Sequence, residues 1–270
     1  MRPIALLSDF GLADPYVGQL KAALVRMAPQ ARLLDISHQV EPFNAAQAAF
    51  FLAASAPHFP DDAVFVAVVD PGVGTGRRVL GAQIGTQSFI TPDAGLLGLL
   101  LRNPGLAPAR FHDLSAEAAK YSASSTFHGR DILAPLAAAL ASGTLLAALG
   151  PELPEGDIVT LPWAAPQPEE GDLRAHVLHV DRFGNCVLSL RQGDHIPGEV
   201  TGLLLGPGER RRLRLVRTYG DLAPGEAGML IGSQGFYELA ANMGSAARLL
   251  TLRGGDAVRV LLDDQPGGKD

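Results

Sequence analysis

The stretch VFVAVVDPGVGTGRRVLGAQIG (64–85) sets an acid, a glycine-rich turn and two arginines between two apolar runs. Val64 to Val69 is apolar and rich in β-branched residues, as a strand covered on both faces must be. It stops at Asp70 and Pro71, and a second strand-like run resumes at Val79–Ile84. Outward from this pair, apolar runs at Ile4–Leu7 and Arg32–Ile36 alternate with Ala/Leu-rich helical segments at Tyr16–Met27, Ala45–Ala56 and Leu133–Leu140. That rhythm predicts an α/β domain with a largely parallel central sheet over residues 1–162.

The pattern then breaks. LPWAAPQPEEGDL (161–173) crowds prolines and two glutamates together, so residues 163–172 are expected to be a linker. Short strands and glycine turns follow, in RAHVLHVDRFGNCVLSL, EVTGLLLG, RRLRLVRTYG, GMLIGSQGFYELAAN and DAVRVLL, predicting a smaller β-barrel domain over 173–270. No internal repeat is visible.

Composition limits the functions available. Of 270 residues 47% are hydrophobic, which excludes disorder, and a net charge of −6 gives no general attraction to nucleic acid or anionic membrane. The basic cluster GERRRLRLVR (208–217) alternates Arg212, Arg214 and Val216 with Leu213, Leu215 and Arg217, as a half-buried strand does. Cys186 is the single cysteine, which forbids an internal disulfide and suits a reducing cytoplasm. MRPIALLSDFG is too short an apolar run for a signal peptide. ILAPLAAALASGTLLAALG (132–150), broken by Pro135 and Ser-Gly-Thr, reads as a buried helix and a turn, not a membrane span.

In open α/β sheets ligands bind beyond the carboxyl ends of strands, and two strands here end in aspartate, Asp9 and Asp70. Aspartate is also a common turn residue, but two of them, each before a glycine turn, favour a site. The turn after Asp70 is no phosphate cradle. Gly72, Gly74 and Gly76 match neither nucleotide fingerprint, a strand follows instead of a helix, and Asp70 repels anions. An anionic base suits a cation, and Arg77 can fold back across the glycines onto that carboxylate. In SASSTFHGRDILAPLAAAL (122–140), Ser124, Ser125 and Thr126 read as turn or cap residues before a helix starting near Gly129, with His128 at the junction and Arg130 and Asp131 as an ion pair.

LLSDFGLADPYVGQLKA, VDPGVGTGRR, STFHGRDILAP, VDRFGN and GSQGFYELAANMGSAA stand in the order found in the S-adenosylmethionine (SAM) hydroxide adenosyltransferases, which the chain resembles to about residue 262. These SAM hydrolases are related to the fluorinases and chlorinases. The resemblance implies hydrolysis of SAM to adenosine and L-methionine, with SAM as substrate, no cofactor and no metal. It also implies a homotrimer whose active sites lie at subunit interfaces. By the same resemblance Asp70, Arg77 and His128 are the catalytic trio and Asp9 holds the ribose hydroxyls. Phe43 and Phe127 line the sugar and sulfonium region, and Asp181, Asn185 and Ser233 grip the methionine end. Tyr219 stacks on adenine, whose edge meets Asn242 and the Met243 backbone. Ser8 replaces the threonine of many relatives.

Three other readings compete. Halogenation calls for small or hydroxyl residues around a desolvated halide, whereas Asp70 occupies that position and Val73 and Gly129 replace hydroxyl side chains of the fluorinases. A SAM- or adenosine-binding protein without turnover would not need the trio. A metal hydrolase using Asp9, Asp14, His38, Asp70 and His128 fits no compact ligand spacing, and His38 reads as a hydrogen-bonded turn residue.

Overall fold

The computed structural model describes residues 1–103, 108–121, 124, 126–194, 196, 199–205 and 209–263. They form two compact units, Met1–Leu161 and Pro162–Asp270.

In the first unit the chain runs β1 (Ile4–Ser8), α1 (Tyr16–Met27), β2 (Leu33–Ser37), α2 (Ala45–Ser55), β3 (Val64–Val68), β4 (Val79–Ile84), β5 (Gln87–Pro92), α3 (Gly98–Leu101), β6 (Ala109–Asp113), α4 (Ser115–Ala118), α5 (Ala134–Ala141), α6 (Leu146–Leu149) and β7 (Glu152–Leu153). The seven strands make one sheet in the order β2-β1-β3-β5-β4-β6-β7. From β2 to β5 every pairing is parallel, and from β5 to β7 every pairing is antiparallel. The expected largely parallel sheet is therefore a mixed one. The cause is local: Ile84 pairs with Gln87 across a two-residue turn, with Gly85 at φ +58°, and so short a connection can only return antiparallel.

β1 and β3 are buried along their whole length because both faces are covered. Ile4, Leu6, Val64, Val66 and Val68 point to one side and pack with Leu20 and Leu24 of α1 and Leu136 and Leu140 of α5. Phe65 stacks on Phe89 at 4.6 Å. The Ala-rich 132–150 segment divides into α5 and α6, and among the described residues no helix is long and apolar enough to cross a membrane.

The second unit holds β8 (Gln167–Glu169), β9 (Asp172–Val180), β10 (Cys186–Arg191), β11 (Glu199–Leu205), β12 (Glu209–Arg212), β13 (Ala227–Ile231), β14 (Phe236–Ala241), α7 (Ala246–Leu249) and β15 (Ala257–Asp263). Its eight strands form an antiparallel sheet ordered β12-β11-β15-β9-β10-β14-β13, with β8 added on β9. Beyond β12 the chain touches β13 at a single bridge, Leu215 to Met229. Among the described residues no ladder closes the sheet, so it is a curled half-barrel where a barrel was expected. Cys186 lies inside it, and burial pushes the thiol up to about 12.

Two further expectations change. Part of the 163–172 segment is β8, joined to β9 by a turn whose central residues Glu170 and Gly171 both take positive φ. The basic run is a strand only as far as Arg212. Leu213 is buried but Leu215 is 51% exposed, so the alternation ends there.

Candidate active site

β1 and β3 are adjacent and parallel, with Ser8 opposite Val68, so Asp9 and Asp70 leave the sheet side by side at its carboxyl edge. Both line one cavity of about 270 Å³ in the first unit, together with Arg77, Phe43, Phe127 and His128. These are all six of the site residues expected in residues 1–162.

The glycine turn is shaped around Arg77. Asp70 accepts a hydrogen bond from the Gly72 N–H at 2.9 Å, and Arg77 Nη1 lies 2.9 Å from Asp70 Oδ1. A Cβ at Gly72 would run into the Arg77 guanidinium and push it aside, so glycine leaves the space into which the arginine folds back. The pair is an ion pair by distance without a hydrogen bond by direction, because Arg77 Nη1 is buried with no aligned acceptor.

Asp9 is held differently. Its Oδ2 accepts from the Phe43 backbone N–H at 2.9 Å. Burial raises its pKa above the ordinary carboxylate value, the Phe43 N–H opposes the rise, and the charge of Asp70 adds to it. Phe43 itself sits at φ +65°, a conformation that costs a non-glycine residue, and it stays largely exposed while lining the cavity. The entry to this turn is fixed from beneath by buried His38, whose Nδ1 is 2.7 Å from Ser8 Oγ and whose Nε2 is 3.2 Å from Asp35 Oδ1. His38 is thus the hydrogen-bonded residue expected. Among the described residues no group of three or more His, Cys, Asp or Glu is arranged to hold a metal ion.

His128 precedes a wide π-type turn, Gly129–Leu133, that leads into α5. Pro135 has no N–H to offer the preceding turn, and the wide turn accommodates it. Asp131 bonds Arg130 at 2.5 Å, as expected, and also accepts from the Ser124 N–H at 2.9 Å, tying down the segment that carries His128. Ser125 lies outside the described residues. Gly129 leaves room against Val68 and Phe10, which a Cβ there would meet at 3.0 and 3.3 Å.

Sequence reasoning named Phe127 but missed the two aromatic residues that complete a wall with it. Phe10, Tyr16 and Phe127 meet in pairs at 5.4–5.8 Å, and all three line the cavity. The signal was present in Phe10 directly after Asp9 and Tyr16 at the start of α1.

The other expected residues lie in the second unit. Asn185, Tyr219 and Met243 line a cavity of about 570 Å³ there, with Phe183 and Arg248, which sequence reasoning did not single out. Asp181 does not line it but organises its loop, accepting from the backbone N–H groups of Phe183 and Asn185, both at 2.8 Å, and from the Asn185 side chain at 2.9 Å. Asn242 is turned to the Leu222 carbonyl at 2.7 Å, and Ser233 stands in the exposed turn between β13 and β14; neither lines the cavity. Glu238 was also missed. It is buried behind Tyr219, whose hydroxyl donates to it at 3.4 Å, and burial, with Asp181 nearby, raises its pKa.

Residues 4–150 match the model of the SAM hydroxide adenosyltransferase N-terminal domain, and residues 175–259 that of its C-terminal domain. The chain is 40% identical to an (R)-S-adenosyl-L-methionine hydrolase of Thermus thermophilus, over 97% of this chain and 100% of that protein. A fluorinase of Actinopolyspora mzabensis is 28% identical over 96% of this chain and 97% of its own. A crystal structure of an uncharacterized conserved protein from Thermotoga maritima superposes with a TM-score of 0.81 at 32% identity, covering 95% of this chain and 99% of that one.

Proposed function

Since the chain belongs to the SAM hydroxide adenosyltransferase family, we propose that it hydrolyses SAM to adenosine and L-methionine by attack of water on the ribose 5′-carbon. The observation that carries this reading is the carboxylate of Asp70, braced by Arg77 in a cavity that His128 also lines.

The sulfonium of SAM already activates the 5′-carbon, and methionine leaves as a neutral thioether. What the protein must supply is a nucleophile. A water held at the Asp70 corner attacks the 5′-carbon as the C–S bond breaks, the C–S electron pair goes to sulfur, and the water's proton goes to Asp70, directly or through His128. The sulfonium is cationic, so the same carboxylate attracts it, and the ring faces of Phe10, Tyr16 and Phe127 offer further attraction at an apolar wall. Holding water and carbon in line contributes through positioning. Asp9 binds the ribose hydroxyls beside Phe43. Asp181, Asn185 and Ser233 serve the methionine end, and Tyr219, Asn242 and Met243 serve adenine. The reaction needs neither metal nor cofactor. A homotrimer working in the cytoplasm, with sites shared between subunits, completes the reading.

Halogenation is the second reading, because fluorinases are relatives. It is disfavoured because a halide must shed its water beside the Asp70 carboxylate. The deciding experiment is turnover of SAM by the purified protein in ¹⁸O-labelled water, with products separated by chromatography. Label in the 5′-hydroxyl of adenosine is expected, with only traces of 5′-haloadenosine in excess chloride or fluoride. Substantial 5′-chloroadenosine would overturn the assignment, and absence of turnover would leave a binding protein.

A further inference from the structure

The turn that carries Asp70 and Arg77 ends at Arg78, and Arg78 is tied to a buried acid. Val79 opposes Pro92 in the β4–β5 hairpin, and the next residues outward, Arg78 and Asp93, continue the pairing, the Asp93 N–H donating to the Arg78 carbonyl at 3.0 Å. The side chains repeat the link, with Arg78 Nε at 3.2 Å and Nη2 at 3.1 Å from Asp93 Oδ2. The other oxygen, Asp93 Oδ1, accepts from the Val159 N–H at 2.9 Å, and Arg78 Nη2 also donates to the Asp157 carbonyl. The Asp93 side chain is 3% exposed.

A carboxylate so buried is costly unless its oxygens are engaged, and both are. Within the turn the Val73 N–H bonds the Asp70 carbonyl, and the Thr75 N–H and hydroxyl bond the Gly72 carbonyl, which holds its first half and leaves Gly76 and Arg77 to the clamp at Arg78. Gly72, Gly74 and Gly76 leave its backbone permissive, and Gly74 uses that freedom at φ +80°. Arg77 reaches Asp70 without an aligned hydrogen bond, so no strong directional contact at its tip sets its position. The backbone that carries it must do so, and that backbone is clamped one residue later. The geometry points to Asp93, acting through Arg78, as a positioning residue that fixes the far end of the glycine turn and so sets the Arg77 guanidinium against Asp70. This assignment rests on the reading of Asp70 and Arg77 as parts of the reacting centre.

A double-mutant cycle on the full-length protein tests it. Asp93→Asn keeps the size of the side chain and an acceptor for Val159 but removes the charge that holds Arg78. Misplacement of a catalytic group by about an ångström costs up to about a hundredfold, so a loss of about tenfold in kcat with little change in KM is expected. In an Arg77→Ala background the same substitution should cost no further kcat, while still lowering the thermal midpoint as it does alone. A purely structural tie would lower kcat by the same factor in both backgrounds. That result, or a wild-type kcat for Asp93→Asn, overturns the proposal. If Asp93→Asn does not fold, Arg78→Gln, which leaves Asp93 bonded to Val159, runs the same cycle: a kcat loss confined to the Arg77 background supports the proposal, and an equal loss in both overturns it. An undiminished kcat in Arg77→Ala alone would instead remove the trio assignment, whatever Asp93 does.

Discussion

The cavity of the first unit takes its charged groups from the ends of buried strands, whereas the cavity of the second is about twice as large and is lined chiefly from turns and loops, with Ala241 from the end of β14 and Arg248 from α7. In the first, Asp9 and Asp70 project into the space itself. In the second, the acids Asp181 and Glu238 stand behind the lining, one bonding its own loop and the other meeting Tyr219. Strand ends are held by the sheet and suit groups that must meet a reacting carbon within a fraction of an ångström. Loops held by side-chain hydrogen bonds suit the recognition of a ligand's outer parts.

If that division is right, substitutions in the first cavity act on kcat and those in the second on KM. The largest effect is expected from Asp70→Ala or His128→Ala, each lowering turnover by about a hundredfold or more, the size of a lost acid–base group, with unfolding curves little changed. Near wild-type rates in both variants would remove the proposed chemistry. Next comes Asp181→Ala, which strips two backbone N–H groups and the Asn185 amide of their acceptor. Unfolding in urea should show a loss of about 1–3 kcal/mol, accompanied by a raised KM. Tyr219→Ala should raise KM by about tenfold, the worth of one aromatic contact, and leave kcat within about twofold. A fall in kcat with KM unchanged would erase the contrast between the cavities.

The smallest effect concerns Asp9. Its pKa is raised in the folded protein, chiefly by burial, so the folded state keeps a proton that the unfolded chain has already released. Its contribution to stability is therefore complete below the ordinary carboxylate pKa of about 4, declines as pH rises through the folded value, and then levels off. Asp9→Asn should abolish that decline, which urea midpoints measured from acid to neutral pH would show. A pH dependence identical in the two proteins would mean that burial does not govern this carboxylate.

The same contrast explains what could be read from the chain. α1 spans Tyr16–Met27 as its periodicity predicts, and β4 spans Val79–Ile84, because both are set by local apolar pattern. The direction of β4 was not read, although Gly85-Thr86 between two apolar runs is a hairpin signal, because the alternating rhythm elsewhere argued for crossovers. Asp9, Asp70 and Arg77 were legible as a site because strand ends concentrate chemistry in contiguous sequence. The second cavity was legible only through the resemblance, since Asn185, Tyr219 and Met243 come from separate loops with no shared pattern. Ser233 and Asn242 come from the same resemblance and stand outside the lining of this cavity. Glu238 was hidden because a single acid in an otherwise apolar strand reads as an exposed position until its neighbours are known.

Among the described residues the half-barrel leaves β12 as the last strand of its sheet, paired with β11 on one side only. An unpaired strand edge is a template onto which another chain can add, and addition of that kind is how β-rich proteins precipitate. Glu209–Arg212 is charged at every position, and Arg211 and Arg212 are exposed. Charge repeated along an open edge opposes growth of that kind, so the basic cluster is expected to act on how copies of the chain meet. Replacing Arg211 and Arg212 with threonine would leave the strand and its pairing intact while turning a soluble edge into an adhesive one, visible as light scattering at concentrations where the native chain stays clear.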